Sequence, residues 1–292
     1  MSSFLTTRQA ARALNISQSS VKRWCDLGVI RSHHTAGGHR RIAIEELGRL
    51  RRSGHPTYVA APAADAVAAR GATKDHSLFL TSLIDGNEAI CRRIAVNMLL
   101  ESHQVSRICD QLLTGAFQEI GEQWSRGDLE VYHERRGIEI VLRILNELRS
   151  LLPSPAENDH RAIGCSPAGD PYRLPTKMVE LVLRDNRWDA ESLGEDIEFE
   201  ELTSAIRVHR PKLCWLSCSH VVAADRFTDG CNRLHERFGR EVCFVLGGRA
   251  LTSELRRKLR FEHYCDNMAQ LERFAATQWT DCHQLVHSKI DR

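Results

Sequence analysis

A chain of 292 residues with 42% hydrophobic and 27% charged side chains has the composition of a globular protein and the length of two or three domains. No apolar run reaches the roughly 18 residues of a membrane span, and the N-terminus carries no basic-plus-apolar signal pattern, so a cytoplasmic protein with no membrane partner is expected. The net charge of +2 is unevenly placed: residues 1–56 hold ten Lys and Arg against three carboxylates (+7), leaving −5 for the remainder. A compact basic end on an acidic chain points to a polyanion partner for that end alone. The ten cysteines are scattered without a Cys-x-x-Cys pair, which favours reduced thiols over a disulfide framework or a zinc site.

In chain order, Thr6-x-x-Gln9 is a capping box that opens a helix with Ala10, Ala11 and Leu14 on its apolar face. Asn15-Ile16-Ser17 is a turn, and Ser17 or Ser19 can cap a second helix that runs through Cys25. On that helix Val21 and Trp24 face the core, while Gln18, Ser20, Lys22 and Arg23 point outward, free to meet a groove. Gly28 ends the unit, Arg31 to Ile42 form a Gly-turned loop loaded with His and Arg, and Glu45 to Arg51 read as a further helix. This is the order of a helix-turn-helix followed by a wing.

Residues 57–75 are Ala-rich with Pro62 and Gly71 and read as a linker, the alternative being that the alanines belong to a helix. From 76 to 152 the apolar spacing is helical: Leu80, Leu83, Ile84; then Ile90, Ile94, Met98; then Ile108, Leu112, Leu113, Phe117; then Ile138, Val141, Leu142, Leu145. Breaks at Asp85-Gly86-Asn87 and Glu101-Ser102-His103 divide this into a four-helix bundle that ends at Leu152 to Asn158. Beyond it, strands at Ala162–Cys165, Ala190–Leu193, Leu213–Ser217 and Val242–Leu246 alternate with helices near 176–187, 198–209, 223–238 and 251–260. Short apolar strands alternating with amphipathic helices make a parallel, doubly wound sheet. The expectation is a multidomain chain: an all-α winged helix-turn-helix over 1–56, a linker over 57–75, a four-helix bundle over 76–152 and an α/β Rossmann-like parallel sheet over 159–292.

The first segment closely resembles the MerR-type winged-helix domain. "TTRQAARALNIS", "VKRW" in the second helix, "LGVI" after it and "TAGGHRRI" in the wing keep the order and spacing over about 50 residues. The resemblance implies contacts to double-stranded operator DNA from Lys22 and Arg23 on the recognition helix and from His39, Arg40 and Arg41 in the wing. Gly37 and Gly38 then supply a tight turn that brings the wing to the phosphates. Readers of this kind are dimeric, so homo-oligomerisation through the bundle or the Rossmann-like domain is expected.

Residues 76–288 resemble the paired helical and Rossmann-like modules that hold cobalamin in methionine synthase and in light-sensing, cobalamin-dependent MerR-type repressors. "DGN" near 85, "IGEQWSRGDLEVYHERRG" with Trp124, and "WDAESLG" at 188–194 carry the likeness. "LSCS" at 216–219 and "LGG" at 246–248 match the strand ends that lodge the nucleotide tail, which implies Ser217, Ser219, Gly247 and Gly248 for any retained cofactor. The ligand chemistry departs. Where that family has Asp-x-His-x-x-Gly, this chain reads Asp170-Pro171-Tyr172-Arg173-Leu174-Pro175, so Tyr172 replaces the lower imidazole and Pro175 the glycine. A phenol with pKa near 10 is a poor ligand at neutral pH, and proline removes an N–H and backbone freedom. On the upper face the light sensors carry Trp, nine residues, then Glu-His; here Trp124 precedes Glu134 and Arg135, which cannot ligate a metal. His133 is one position early, about 100° away around a helix. A loss on each face leads to the expectation of no metal ligand and no His-ligated cobalamin, with Trp124, Glu134, Asp170 and Tyr172 lining what remains of the site.

Other residues read as ordinary: Cys214 and Cys218 as small hydrophobes on a buried strand, Trp188 and Trp215 as core. His220 is a solvated side chain or a pocket group, and "DCHQLV" at 281–286 lies too near the end to build a ligand loop. No Ser-His-Asp arrangement, P-loop or zinc spacing is present, so no enzymatic activity is expected. The function expected is a DNA-binding transcription regulator with a sensor or assembly region; the alternatives are a functional light-responsive cobalamin repressor and a corrinoid carrier for methyl transfer.

Overall fold

The structure is a computed structural model that describes residues 4–13, 21–22, 25, 30–35, 37–46, 65–102, 104–155 and 160–278. The chain divides into two compact units, residues 1–104 with 111–153, and residues 105–110 with 154–292.

The first unit begins with β1 (Phe4–Thr6), α1 (Thr7–Ala13), β2 (Ser32–His34) and β3 (Arg40–Ala43). The capping box forms as the spacing predicts: Gln9 Oε1 accepts from the Thr6 N–H at 2.9 Å and Thr6 Oγ1 accepts from the Gln9 N–H at 3.2 Å. The strands make an antiparallel sheet in the order β1-β3-β2, with Leu5 and Ser32 both opposite Ile42. The all-α reading of this domain therefore gains a three-stranded sheet, and the stretch Arg31 to Ile42, read as a loop, is a hairpin. Its turn is closed by the Gly38 N–H to the Thr35 carbonyl at 2.8 Å, with Gly38 at φ +77°, a conformation that favours glycine. Leu5, Ala10, Ala11, Val21, Ile30, Ile42 and Ile44 form the core, with Val96, Leu100 and Leu151 of the bundle packed against it.

The bundle comprises α2 (Asp65–Asp85), α3 (Glu88–Ser102), α4 (Val105–Arg107), a π-helical stretch Ile108–Thr114, α5 (Gly115–Ser125) and α6 (Val131–Leu151). Because α2 starts at Asp65, the alanine-rich stretch read as linker is helical from there. The break at Gly86 is observed at φ +80°. On α3 the buried stripe is Cys91, Ile94, Ala95 and Leu99; Ile90 and Met98, expected inside, are half-buried. In the same way α6 buries Ile140, Val141, Ile144, Leu145 and Leu148, with Ile138 and Leu142 at the margin.

The second unit holds β4 (Arg161–Cys165), α7 (Arg173–Asp185), β5 (Asp189–Ser192), α8 (Phe199–His209), β6 (Leu213–Ser217), α9 (Ala224–Phe238), β7 (Cys243–Gly247), α10 (Ser253–Lys258), β8 (His263–Cys265) and α11 at 268–278. The sheet is parallel throughout in the order β5-β4-β6-β7-β8. Strand β8 and α11 are additions to the sequence reading. Asp110 fixes the start of α11, its carboxylate accepting from the N–H groups of Met268 and Ala269 at 2.9 Å each, as favours a helix N-terminus. Side chains alternate across the sheet. Ile163, Cys165, Cys214, Leu216, Phe244 and Leu246 lie in one core with Leu202 and Ile206 of α8, Phe227, Cys231 and Leu234 of α9 and Leu255 of α10. On the other face Trp215 donates to Thr176 Oγ1 of α7 at 2.9 Å, and Trp188 donates to the Ala275 carbonyl of α11 at 3.2 Å. The chain winds left from β4 and right from β6, so the crevice between their carboxyl ends is the topological switch point, where such sheets place ligands.

Candidate functional site

Two places gather the residues singled out from the sequence. The first is the wing. Alternation along β3 sends Arg40 to the same side as buried Ile42, and Arg41 and Ala43 to the other. Arg40 Nη1 donates to the Lys22 carbonyl at 3.4 Å, so it ties the hairpin to the second helix. Arg41 lies opposite Thr6 on one neighbour and His33 on the other, and the exposed Phe4 ring stands edge-on to His33 with centroids 5.7 Å apart. Lys22 and His39 are exposed, the His39 N–H held by Thr35 Oγ1 at 3.2 Å, whereas Arg31 is paired with Glu46 at 3.8 Å. Lys22, His33, His34, His39, Arg40 and Arg41 thus lie on or beside the hairpin, with Arg40 and Arg41 directed to its opposite faces. Gln18, Ser20, Arg23 and Trp24 lie outside the described residues.

The second place is the switch-point crevice. Asp170 is fully buried, and both its oxygens are already occupied: Oδ1 accepts from the Tyr172 N–H at 3.0 Å, and Oδ2 from the N–H groups of Ser219 at 2.5 Å and His220 at 3.0 Å. A buried carboxylate is stable when backbone donors satisfy it, and here the donors come from the loop after β6. Asp170 therefore staples the two strand-end loops together. The rest of its loop is equally engaged. Ser166 Oγ donates to the Tyr172 carbonyl at 2.9 Å, Gly169 N–H to Asp196 at 2.7 Å, and the Ala168 N–H to the Ile197 carbonyl at 3.0 Å. Tyr172 occupies the position before α7, and its ring lies under the Arg249 guanidinium, 5.3 Å from the centroid. Arg249, which follows the Gly247-Gly248 pair directly, was missed in the sequence; a cation one residue after a strand-end Gly-Gly was the available signal.

The remaining crevice residues lie close together, with their backbones paired. Ser217, at the end of β6, pairs with Gly247, and the Gly247 carbonyl accepts from the Cys218 N–H at 2.7 Å. Gly248 has φ +117°, and a Cβ there would fall 2.2 Å from the Cys218 carbonyl oxygen, so that position requires glycine. Behind the crevice, the Trp215 indole lies across Gly164, and its bond to Thr176 continues to Ser192 Oγ at 3.2 Å and on to the Gly194 N–H at 3.2 Å. His220 presents an exposed side chain while its N–H goes to Asp170. The "DCHQLV" segment lies outside the described residues.

In the bundle, Trp124 is exposed near the end of α5 and Glu134 is half-buried in the first turn of α6. His133 is absorbed by the capping box of α6, its Nδ1 at 3.2 Å from the Glu130 backbone and its ring stacked on Tyr132 at 4.0 Å. Arg135 is exposed, and the neighbouring Arg136 bonds the Ile84 carbonyl and lies 5.6 Å from the Tyr132 ring centroid. His76 bridges the Gln111 carbonyl at 3.1 Å and Glu119 at 2.7 Å.

Among the described residues no group of three His, Cys, Asp or Glu is arranged to hold a metal ion. All nine described cysteines are free thiols, Cys25 and Cys243 partly exposed and the other seven buried. Burial pushes the Cys165 thiol up to about 12 and those of Cys214 and Cys218 well above their usual value, the inert state expected of thiols used as small hydrophobes.

A helix-turn-helix domain family matches residues 4–54, and a B12-binding domain family matches residues 78–149. The monomethylamine corrinoid protein of Methanosarcina barkeri superimposes with a TM-score of 0.59 at 16% identity, over 70% of this chain and 98% of its own, which shows a shared fold. A cobalamin-binding protein of Desulfitobacterium hafniense aligns more loosely, with a TM-score of 0.36 at 13% identity over 70% of this chain and 96% of its own. No match to a curated protein was found. The chain thus joins a helix-turn-helix domain to a helical B12-binding domain and a parallel-sheet domain of corrinoid-protein fold.

Proposed function

We propose that the protein is a DNA-binding transcription regulator in which the winged helix meets double-stranded operator DNA and the bundle and α/β domain serve as a sensor or assembly region that does not take His-ligated cobalamin. The observation that carries this reading is the state of Asp170: a carboxylate that would orient an imidazole is spent on three backbone N–H groups, beside a tyrosine. On the bundle His133 is engaged in the cap of α6, and Arg135 is a side chain that cannot ligate a metal. The residues present therefore do not fit an imidazole-held cobalt, because neither Tyr172 nor Arg135 offers a ring nitrogen. The DNA-binding half rests on the helix-turn-helix match and on the surplus of seven positive charges within residues 1–56. In this reading its role is non-enzymatic, and a cytoplasmic homo-oligomer is the form in which one winged helix per chain gains specificity.

A second reading, a cobalamin-dependent light-responsive repressor, is favoured by the B12-binding match over 78–149. A cofactor held that way would sit by its nucleotide tail near Ser217, Ser219, Gly247 and Gly248 and keep its base off the metal. Titrating a labelled duplex at several salt concentrations, in darkness and in light, with adenosylcobalamin added, separates the two. The proposal expects salt-dependent binding unchanged by cofactor and light; release on illumination favours the second reading, and absence of any duplex binding removes both.

A further inference from the structure

Away from the strand-end crevice, α8 and α9 leave a solvent-open groove of about 620 Å³ on the outer surface of the sheet's α8–α10 side. Its floor is apolar, formed by Phe199, Gly230 and Leu234. The helices approach closely at Gly230, where a Cβ would fall 2.2 Å from the Phe199 ring, so the floor is set by a glycine. Its rim carries Arg207, Arg233 and Arg237. None of these three forms an ion pair or hydrogen bond within the described structure; Arg237 lies over the Phe238 ring at 5.4 Å. Their neighbours behave differently. Arg226 pairs with Glu198 at 3.0 Å and Arg260 with Glu236 at 3.0 Å, which draws the Glu236 charge away from the groove. Glu200 is the one other carboxylate on the lining, and the Ser204 hydroxyl beside it is turned to the Glu200 carbonyl at 3.0 Å. Three uncompensated guanidinium groups thus face one uncompensated carboxylate.

We propose that this groove binds a small phosphorylated anion, of the nucleotide class. Guanidinium groups present planar forks that match phosphate oxygens and bind them bidentately. The volume falls in the ~300–1,000 Å³ range of small-molecule sites. A floor with an aromatic ring suits the apolar face of a base, with the Thr203 hydroxyl as a further donor. The assignment is independent of the fate of cobalamin and of the wing.

Calorimetric titration of the full chain with pyrophosphate, ATP and adenosine tests it, together with Arg233→Ala/Arg237→Ala and, as a control for bulk charge, Arg226→Ala. These side chains are exposed, so the variants keep the fold. The expected result is binding of pyrophosphate and ATP but not adenosine, weakened at least tenfold in the double variant and unchanged in Arg226→Ala. ATP tighter than pyrophosphate identifies a nucleotide as the ligand, and equal affinities identify a bare phosphate group; both support the site. No binding at millimolar concentration, equal binding by the double variant, or displacement of pyrophosphate by a short DNA duplex would overturn the proposal.

Discussion

The wing turn at Thr35–His39 and the crevice loop at 166–172 are both short, glycine-bearing loops that the sequence marks as functional, yet they spend their polar groups in opposite ways. In the wing, backbone bonds close the turn and leave Lys22, His39 and the Arg41 face at the surface. In the crevice loop, Asp170, Ser166 and Gly169 all bond to the protein itself, and the Tyr172 ring is covered by Arg249. A retained residue type is therefore weak evidence for a retained role. What matters is where its hydrogen bonds go, and those of Asp170 go to three backbone N–H groups of the protein itself.

The sharpest way to break this contrast is to test whether the crevice is structural. Trp215→Ala should cost about 3–5 kcal/mol, the usual range for removing a buried aromatic ring, because it empties the space across Gly164 and strips Thr176 of its donor. Asp170→Ala should follow at about 3 kcal/mol: three donors lose their acceptor at ~1–3 kcal/mol each if fully buried, and their partial exposure to water puts the sum at the low end. Urea denaturation measures both; wild-type stability in Asp170→Ala would mean that the carboxylate is held in reserve for a ligand. On the wing side, Arg41→Ala should leave stability untouched, weaken specific and random duplexes alike and lower the salt slope by about 0.9, one phosphate contact. Arg40→Ala should weaken binding without that change in slope, because Arg40 positions the hairpin through the Lys22 carbonyl; identical slopes for both variants would show that the two faces are equivalent. The last effect is alkaline. Folding raises the Cys165 thiol from 9.0 to about 12, so the folded state prefers the neutral form; that contribution is complete below about pH 9 and is lost as pH climbs through 9–12. Melting temperatures across that window should fall, and a Cys165→Ala variant should fall less.

Most of the fold was legible because its signals are local. The capping box Thr6–Gln9, the break at Gly86 and the four apolar strands β4, β5, β6 and β7 each depend on a few neighbouring residues. The errors came where tertiary context decides. β1 has three residues and forms because Leu5 meets Ile42 across β3; β8, equally short, forms as the sheet's edge beside β7. On α3 the centre of the buried face moved by one residue, to Cys91 and Ala95, since a cysteine and an alanine carry little weight in a hydrophobic pattern. The sequence marked Asp170, Tyr172, Ser217 and Gly248, and the structure places these positions at the carboxyl ends of β4, β6 and β7. The bonds from Ser219 and His220 to Asp170 and the stacking of Arg249 on Tyr172 were not legible, because they join residues about 50 to 80 positions apart.

The central claim, that this domain keeps a corrinoid-protein fold without an imidazole-held cobalt, is tested most directly by the visible absorbance spectrum of the purified chain after incubation with adenosylcobalamin and removal of free cofactor. The account predicts a colourless protein, or at most a base-off spectrum, unchanged by light. A stoichiometric chromophore with a histidine-ligated spectrum that changes on illumination would contradict it.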